Sequence, residues 1–276
     1  MQITTLVENT VNKSCLLAEH GLSVLLETED EAILFDTGQH HALFHNATKM
    51  GIDLSKVGKI VLSHGHSDHT GGLEDVLKAS GGVHIYGHPD IFDEKYSKQK
   101  CEQRSIGIPY TRKSLELRGA ELHLSKEPIE IADGIQTTGE ISRQTDFETI
   151  HDRLCVMRDG MIVKDDLLDD LSLIVTGQEG AAVIFGCGHS GVINTLIQVR
   201  QMIGKIPISI VIGGIHLIDA TEDRINKTIQ SLKEFNIGKL ALCHCTGMLA
   251  MVKLYEAFGD KLLFNHVGTQ IEWSGA

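Results

Sequence analysis

Residues Ser63 to Gly72 read Ser-His-Gly-His-Ser-Asp-His-Thr-Gly-Gly, which packs three imidazoles and a carboxylate into the run from His64 to His69. Neutral imidazole and carboxylate are donor types that zinc and similar divalent ions prefer. His64 and His66 are two residues apart and share a face in extended backbone, so together they can grip one ion. Asp68 and His69 lie past the bend and can serve a second. A loop whose histidines merely hydrogen-bond to their surroundings gives no reason for so many donors in one short run.

The elements around this run place it on a strand-to-helix loop. Lys59-Ile60-Val61-Leu62 reads as a buried strand, and Gly71-Gly72 opens a helix at Leu73. Three later loops repeat the order of apolar strand, glycine and metal-capable residue. In Ala182-Val183-Ile184-Phe185-Gly186-Cys187-Gly188-His189, His189 is preferred as a ligand because a neutral imidazole binds without the deprotonation that Cys187 needs. In Lys239-Leu240-Ala241-Leu242-Cys243-His244-Cys245, His244 is the ligand candidate. If the strand continues, Cys243 and Cys245 point away from it and serve as small buried residues. In Val211-Ile212-Gly213-Gly214-Ile215-His216, His216 either contacts substrate or acts as a proton donor, or it is a buried, hydrogen-bonded histidine. His266 reads as structural, and the acidic run Lys164–Ser172 as a solvated turn.

The chain has 276 residues, 42% of them hydrophobic, and its Lys+Arg 25 against Asp+Glu 37 give a formal charge of −12. Without a basic stripe, nucleic-acid binding is not expected. Only four prolines occur and no Pro- or Ser-rich linker interrupts the chain, so residues 1–276 are expected to form one domain. The amino terminus is strand-like and no apolar stretch reaches membrane-spanning length. Six scattered cysteines do not form a disulfide framework and point to a reducing cytoplasm. Strands are expected near residues 2–8, 22–27, 32–36, 59–63, 83–86, 121–124, 134–138, 172–176, 181–185, 208–213 and 239–244. Helices are expected near 40–50, 73–79, 191–203, 221–235 and 249–257. This alternation supports an α/β fold. The segment 90–118 reads as an irregular insertion, either solvated or a lid over the site.

His-x-His-x-Asp-His followed by Gly-Gly resembles the signature of the metallo-β-lactamase superfamily, and Ala32-Ile33-Leu34-Phe35-Asp36-Thr37-Gly38 resembles that superfamily's first motif. The resemblance implies a four-layer αββα sandwich in which Asp36 orients the metal-binding loop from behind. It also implies that the strand before Cys187 should end in Gly-Asp with a bridging carboxylate; here Cys187 stands in that place. A further histidine is usual, but His84, His88, His123 and His151 lack the flanks of a ligand. If His189 completes the first site, none is needed. Leu6-Val7-Glu8-Asn9, Ala18-Glu19-His20-Gly21, Gly139-Glu140-Ile141, Asp169-Asp170-Leu171-Ser172 and His244-Cys245-Thr246-Gly247 resemble, more narrowly, the dihydropterin-ribofuranosylaminobenzene-phosphate synthase-like subfamily. If those segments line the site, Glu8, Asn9 and Glu19 do so too; buried polar structural roles are the equal alternative.

The ligand set expected is His64, His66 and His189 for one ion and Asp68, His69 and His244 for the other. Zinc is the default, with manganese, iron or cobalt also compatible with such donors. One or two ions would bring the pKa of bound water toward neutrality and polarise a phosphoryl oxygen. Asp68 would hold the nucleophilic water or take its proton, and His216 would serve the leaving group. The leading expectation is a hydrolase of a phosphate ester or diester with a small phosphorylated substrate. The alternative is a transferase that condenses a pterin-like pyrophosphate with an aromatic ribosyl phosphate, and a third is a metal-containing binding protein without turnover.

Overall fold

The computed structural model describes residues 1–28, 31–99 and 102–273. Its strands form two seven-stranded sheets and a four-stranded one. The first large sheet runs, in spatial order, Gln270–Glu272, Gln2–Val7, Ser23–Glu27, Ala32–Phe35, Val57–Val61, Val83–Gly87 and Ala120–Leu124. The second runs Leu262–Phe264, Lys239–Leu242, Ile208–Gly213, Gly180–Phe185, Ser172–Gly177, Ile135–Thr137 and Glu130–Ala132. In each, four neighbouring strands are parallel: Ala32–Phe35 through Ala120–Leu124 in one, Gly180–Phe185 through Leu262–Phe264 in the other. Parallel strands need crossovers, and helices supply them. Ala42–Met50 and Leu73–Ser80 serve the first sheet, and Val192–Ile203, Glu222–Glu234 and Met248–Phe258 serve the second.

Neighbouring residues on a strand sort into different layers because side chains alternate across a sheet. Leu26, Ile33 and Val61 meet Leu173, Ile184 and Ile212 in a core between the two sheets. Their neighbours Leu25, Leu34 and Ile60 face outward onto Leu43, Val76 and Leu77. On the opposite side, Ile174, Val183 and Val211 pack on Leu196, Ile229 and Leu254. Strands buried on both faces explain the continuous apolar runs in the sequence. The result is the helix–sheet–sheet–helix sandwich that the resemblance implies.

Several local features differ from expectation. The first helix begins at Ala42, and the Glu19 carboxylate accepts from the backbone N–H groups of Gln39, His40, His41 and Ala42 at its start. A one-turn helix, Ser67–Thr70, precedes the helix at Leu73. Segment 90–118 is ordered into secondary structure, not irregular: Lys95–Gln99 and Glu102–Ser105 pair with each other, and Arg112–Glu116 is helical. Lys100 and Cys101, between the two strands, lie outside the described residues. Lys95–Gln99 also pairs with Leu154–Arg158, which pairs with Met161–Lys164, completing the four-stranded sheet. No helix among the described residues is long and apolar enough to cross a membrane.

Candidate metal centre

The donor loops follow the ends of the parallel strands. Asp36 follows Ala32–Phe35, the His64 loop follows Val57–Val61, and Cys187 and His189 follow Gly180–Phe185. His216 follows Ile208–Gly213 and His244 follows Lys239–Leu242. Carboxyl ends of parallel strands in each sheet face one way, which is where open α/β sheets place their ligands. The loops of the two sheets come close enough to require glycine. A Cβ on Gly186 would lie 2.0 Å from Ser63 Oγ and 2.9 Å from Asp36 Oδ2.

Asp36 is fully buried and its backbone is left-handed, with φ 59°. Its Oδ1 accepts from the Ser63 N–H at 2.8 Å, and its Oδ2 faces Ser63 Oγ at 2.7 Å and His69 Nδ1 at 2.6 Å. Proton counting fixes the histidines. An ionised Asp36 only accepts, so Ser63 gives it the hydroxyl proton and His69 donates Nδ1–H. Having spent its proton, Ser63 Oγ accepts from His64 Nδ1, 2.8 Å away. On the other side, Asn9 Oδ1 lies 2.9 Å from His244 Nδ1, and Glu8 Oε1 accepts the His244 N–H at 2.7 Å. Since the Asn9 oxygen can only accept, His244 also donates from Nδ1. With Nδ1 engaged in each, His64, His69 and His244 all turn Nε2 into the centre, the orientation a metal ligand needs.

The structure brings every expected ligand into one cluster. Donor atoms of His64, His66 and His189 lie within 4.8 Å of one another. His69 Nε2 is 3.2 Å from His244 Nε2, and Asp68 Oδ2 is 3.6 Å and 3.5 Å from these two nitrogens. Cys187 Sγ, 3.2 Å from His69 Nε2, connects the two groups. His66 Nε2, His189 Nε2 and both ring nitrogens of His216 are buried without a hydrogen-bond partner. Such orphaned nitrogens are costly unless a ligand satisfies them.

Electrostatics favour the same reading. Burial drives His64 and His189 well below the usual histidine range and His66 down to about 3, so these imidazoles are neutral donors. Burial would lower His69 too, but Asp68 and Asp36 carry it up to about 9. Burial would raise Asp68, yet His69 and His244 hold its carboxyl well below the usual carboxylate range. Burial pushes the Cys187 thiol up; burial would raise Cys245 too, but contact with Cys187 and the imidazoles of His244 and His216 hold it down.

The structure departs from other expectations. The strand ends at Leu242 and a tight turn, His244–Thr246, follows with His244 at φ 53°, so Cys245 does not point away. Its sulfur shares a donor group with Cys187 and His244. His216, at φ 43°, holds its ring 4.1 Å from that of His189, tilted by 48°, and lines the cavity over the cluster. Asn9 lines it as well, whereas Glu8 supports His244 from behind and Glu19 caps a helix. His20 was missed: its Nε2 lies 3.3 Å from Asp68 Oδ2, and only its place in a polar loop marked it. The run Lys164–Ser172 is not a solvated turn, since Asp165, Asp169 and Asp170 are buried. The cavity, about 530 Å³, takes its far wall from the small sheet and the turn before it, through Ser97, Gln99, Arg104 and Arg153.

Comparison with known proteins agrees with this architecture. Residues 17–192 match the family model for the metallo-beta-lactamase superfamily. A 7,8-dihydropterin-6-methyl-4-(beta-D-ribofuranosyl)-aminobenzene-5'-phosphate synthase of Methanocaldococcus jannaschii is 32% identical, covering 99% of this chain and 97% of its own. An uncharacterized protein of the same organism is 33% identical over 96% of this chain and 98% of its own. The crystal structure of Tm1679, described as a metal-dependent hydrolase of the beta-lactamase superfamily, superposes with TM-score 0.85 at 29% identity and covers 99% of both chains.

Proposed function

The chain belongs to the metallo-β-lactamase superfamily, and on that premise we propose that it is a metal-dependent hydrolase of a small phosphate ester or diester. The observation that carries this reading is the convergence of Nε2 atoms from His64, His69 and His244 with Asp68, next to a cavity that Asp68, His244, Arg104 and Arg153 line. His66 and His189, with buried nitrogens that nothing in the protein satisfies, extend the same donor set. His64, His66 and His189 would hold one ion, and Asp68, His69 and His244 the other. Bound there, divalent ions supply Lewis acidity toward a phosphoryl oxygen and a nucleophile from water at neutral pH.

The chain's own residues do the rest. Asp68 Oδ2, set among His20, His69 and His244, orients the attacking water and takes its proton. The water oxygen bonds to phosphorus as the P–O bond to the leaving group breaks, and His216 delivers a proton to the departing oxygen. Arg104, which has no acidic partner among the described residues, faces the substrate's remaining negative charge. Arg153 is held by Asp219 at 2.5 Å and shapes the wall beside it.

A second reading is condensation of a pterin-like pyrophosphate with an aromatic ribosyl phosphate, favoured by 32% identity to the archaeal synthase across 99% of this chain. In it, the amine nitrogen forms a bond to carbon and gives up a proton, the carbon–oxygen bond breaks, and pyrophosphate departs with the bonding pair. Zinc- or manganese-loaded protein, assayed on a chromogenic phosphodiester in water enriched in oxygen-18, separates the readings. Label in the released phosphomonoester supports hydrolysis. Absence of turnover, with pyrophosphate release that depends on the aromatic amine, replaces it with condensation. A loaded protein inert in both assays is a binding protein.

A further inference from the structure

Two consecutive carboxylates reach the two loops that carry His64, His66 and His189. Asp169 Oδ2 accepts the N–H of Gly65, between His64 and His66, at 2.8 Å. Asp170 Oδ2 accepts the N–H of Ser190, next to His189, also at 2.8 Å. The two side chains thereby span from the loop of one sheet to the loop of the other, and the Leu171 N–H to Ser63 carbonyl bond at 2.9 Å reinforces the span. Asp169 is fully buried, so its charge needs a partner. Lys95, 1% exposed, donates from Nζ to Asp169 Oδ1 and Asp165 Oδ2, each at 2.9 Å. Lys95 begins the strand whose later residues Ser97 and Gln99 line the cavity.

We propose that Asp169, anchored by Lys95, is a positioning residue for the His64–His66 metal loop, and that the pair links the cavity wall to that loop. Asp169 uses one oxygen for each neighbour: Oδ1 for the ammonium and Oδ2 for the Gly65 N–H. An ion held by His64, His66 and His189 needs the Gly65 peptide fixed, because a small rotation there swings both imidazoles at once. A salt bridge that served stability alone would have no reason to spend its second oxygen on this peptide. The inference rests on the metal reading above.

Cobalt(II) and zinc titrations of the full chain test it, with absorption of the bound cobalt as a report on ligand geometry. In Asp169→Asn the isosteric amide has one acceptor oxygen for two donors, while Lys95 keeps Asp165, so the fold persists. Affinity for the first ion should fall on the order of 10–100-fold, as for other groups that orient metal ligands, and the cobalt spectrum should change. Asp165→Asn should bind close to wild type, because Asp165 does not touch the loop. Equal affinity and an identical spectrum for wild type and Asp169→Asn overturn the inference alone. Equal losses in Asp165→Asn and Asp169→Asn also overturn it, assigning the cluster to stability. A wild-type protein that retains no divalent ion overturns the metal reading and this inference together.

Discussion

Asp36 and His69 stand on different loops of the first sheet, yet Asp36 Oδ2 accepts a hydrogen bond from His69 Nδ1–H at 2.6 Å with both side chains fully buried. That contact turns His69 Nε2 toward the cluster, and through Ser63 the same carboxylate sets His64. Asp36→Asn isolates the effect, since Asn also tolerates the left-handed backbone at φ 59°. The amide cannot accept from Ser63 N, Ser63 Oγ and His69 Nδ1 as the carboxylate does. Zinc affinity and phosphodiester turnover should each fall on the order of 10–100-fold, read by competitive metal titration and initial rates. Unchanged values would remove Asp36 from the support of the metal loop.

The acidic neighbours of His69 also make the metal-free protein sensitive to pH. In the fold His69 is raised to about 9, from an ordinary value of 6.5. A histidine held above its unfolded value stabilises the fold fully below the unfolded pKa, and this is lost as pH rises through the folded one. The metal-free protein should therefore lose stability between about pH 6.5 and 9, by on the order of 3 kcal/mol at most. Urea midpoints across that window measure it. A bound ion replaces the His69 proton, so ion affinity should climb with pH over the same range. His66, held down to about 3, acts in the opposite sense and below that window, costing stability as pH falls from about 6.5 toward 3. A flat urea profile for the metal-free protein would contradict the assignment.

Gly65 is small because a neighbouring turn leaves no room. A Cβ there would sit 2.2 Å from the Ile91 carbonyl oxygen, a backbone atom fixed by the turn Pro89–Phe92. Gly65→Ala must shift that turn or the metal loop, and overpacking of this kind costs about 1–3 kcal/mol. The expected outcome is a lower urea midpoint together with weakened zinc binding. A variant with wild-type stability and affinity would show that the loop yields freely.

What the sequence made legible follows from how local each signal is. His64, His66, Asp68 and His69 sit in one short run, and Phe35-Asp36 and Phe185-Gly186-Cys187 end recognisable buried strands, so strand, turn and donor could be read together. His20 and Cys245 carry no such flank. Cys245 reaches the centre because the chain leaves its strand at Leu242 and turns through a left-handed His244. The four-stranded sheet was hidden because Lys-Tyr-Ser-Lys-Gln at 95–99 shows no clean alternation, and its partner Leu154–Arg158 is distant in sequence. Asp169 looked like part of a solvated acidic run because its counter-charge, Lys95, is 74 residues away. Pairings of this length leave no periodic trace in the sequence.

His216 separates a chemical role from a ligating one. Its ring lies 4.1 Å from that of His189, and neither of its nitrogens has a partner in the protein. Its backbone is left-handed at φ 43°, a costly conformation for a non-glycine residue that tends to persist at functional sites. His216→Asn suits that backbone and removes the imidazole. If His216 donates the proton to the leaving oxygen, kcat for the phosphodiester should fall on the order of 10²–10⁴-fold while the bound-ion count stays at the wild-type value. The loss should shrink for substrates whose leaving group is a weak base, because those need no proton in the transition state. Loss of an ion from the variant, measured by elemental analysis, would make His216 a ligand instead. A kcat unchanged for every leaving group would leave the strained histidine without a part in the reaction.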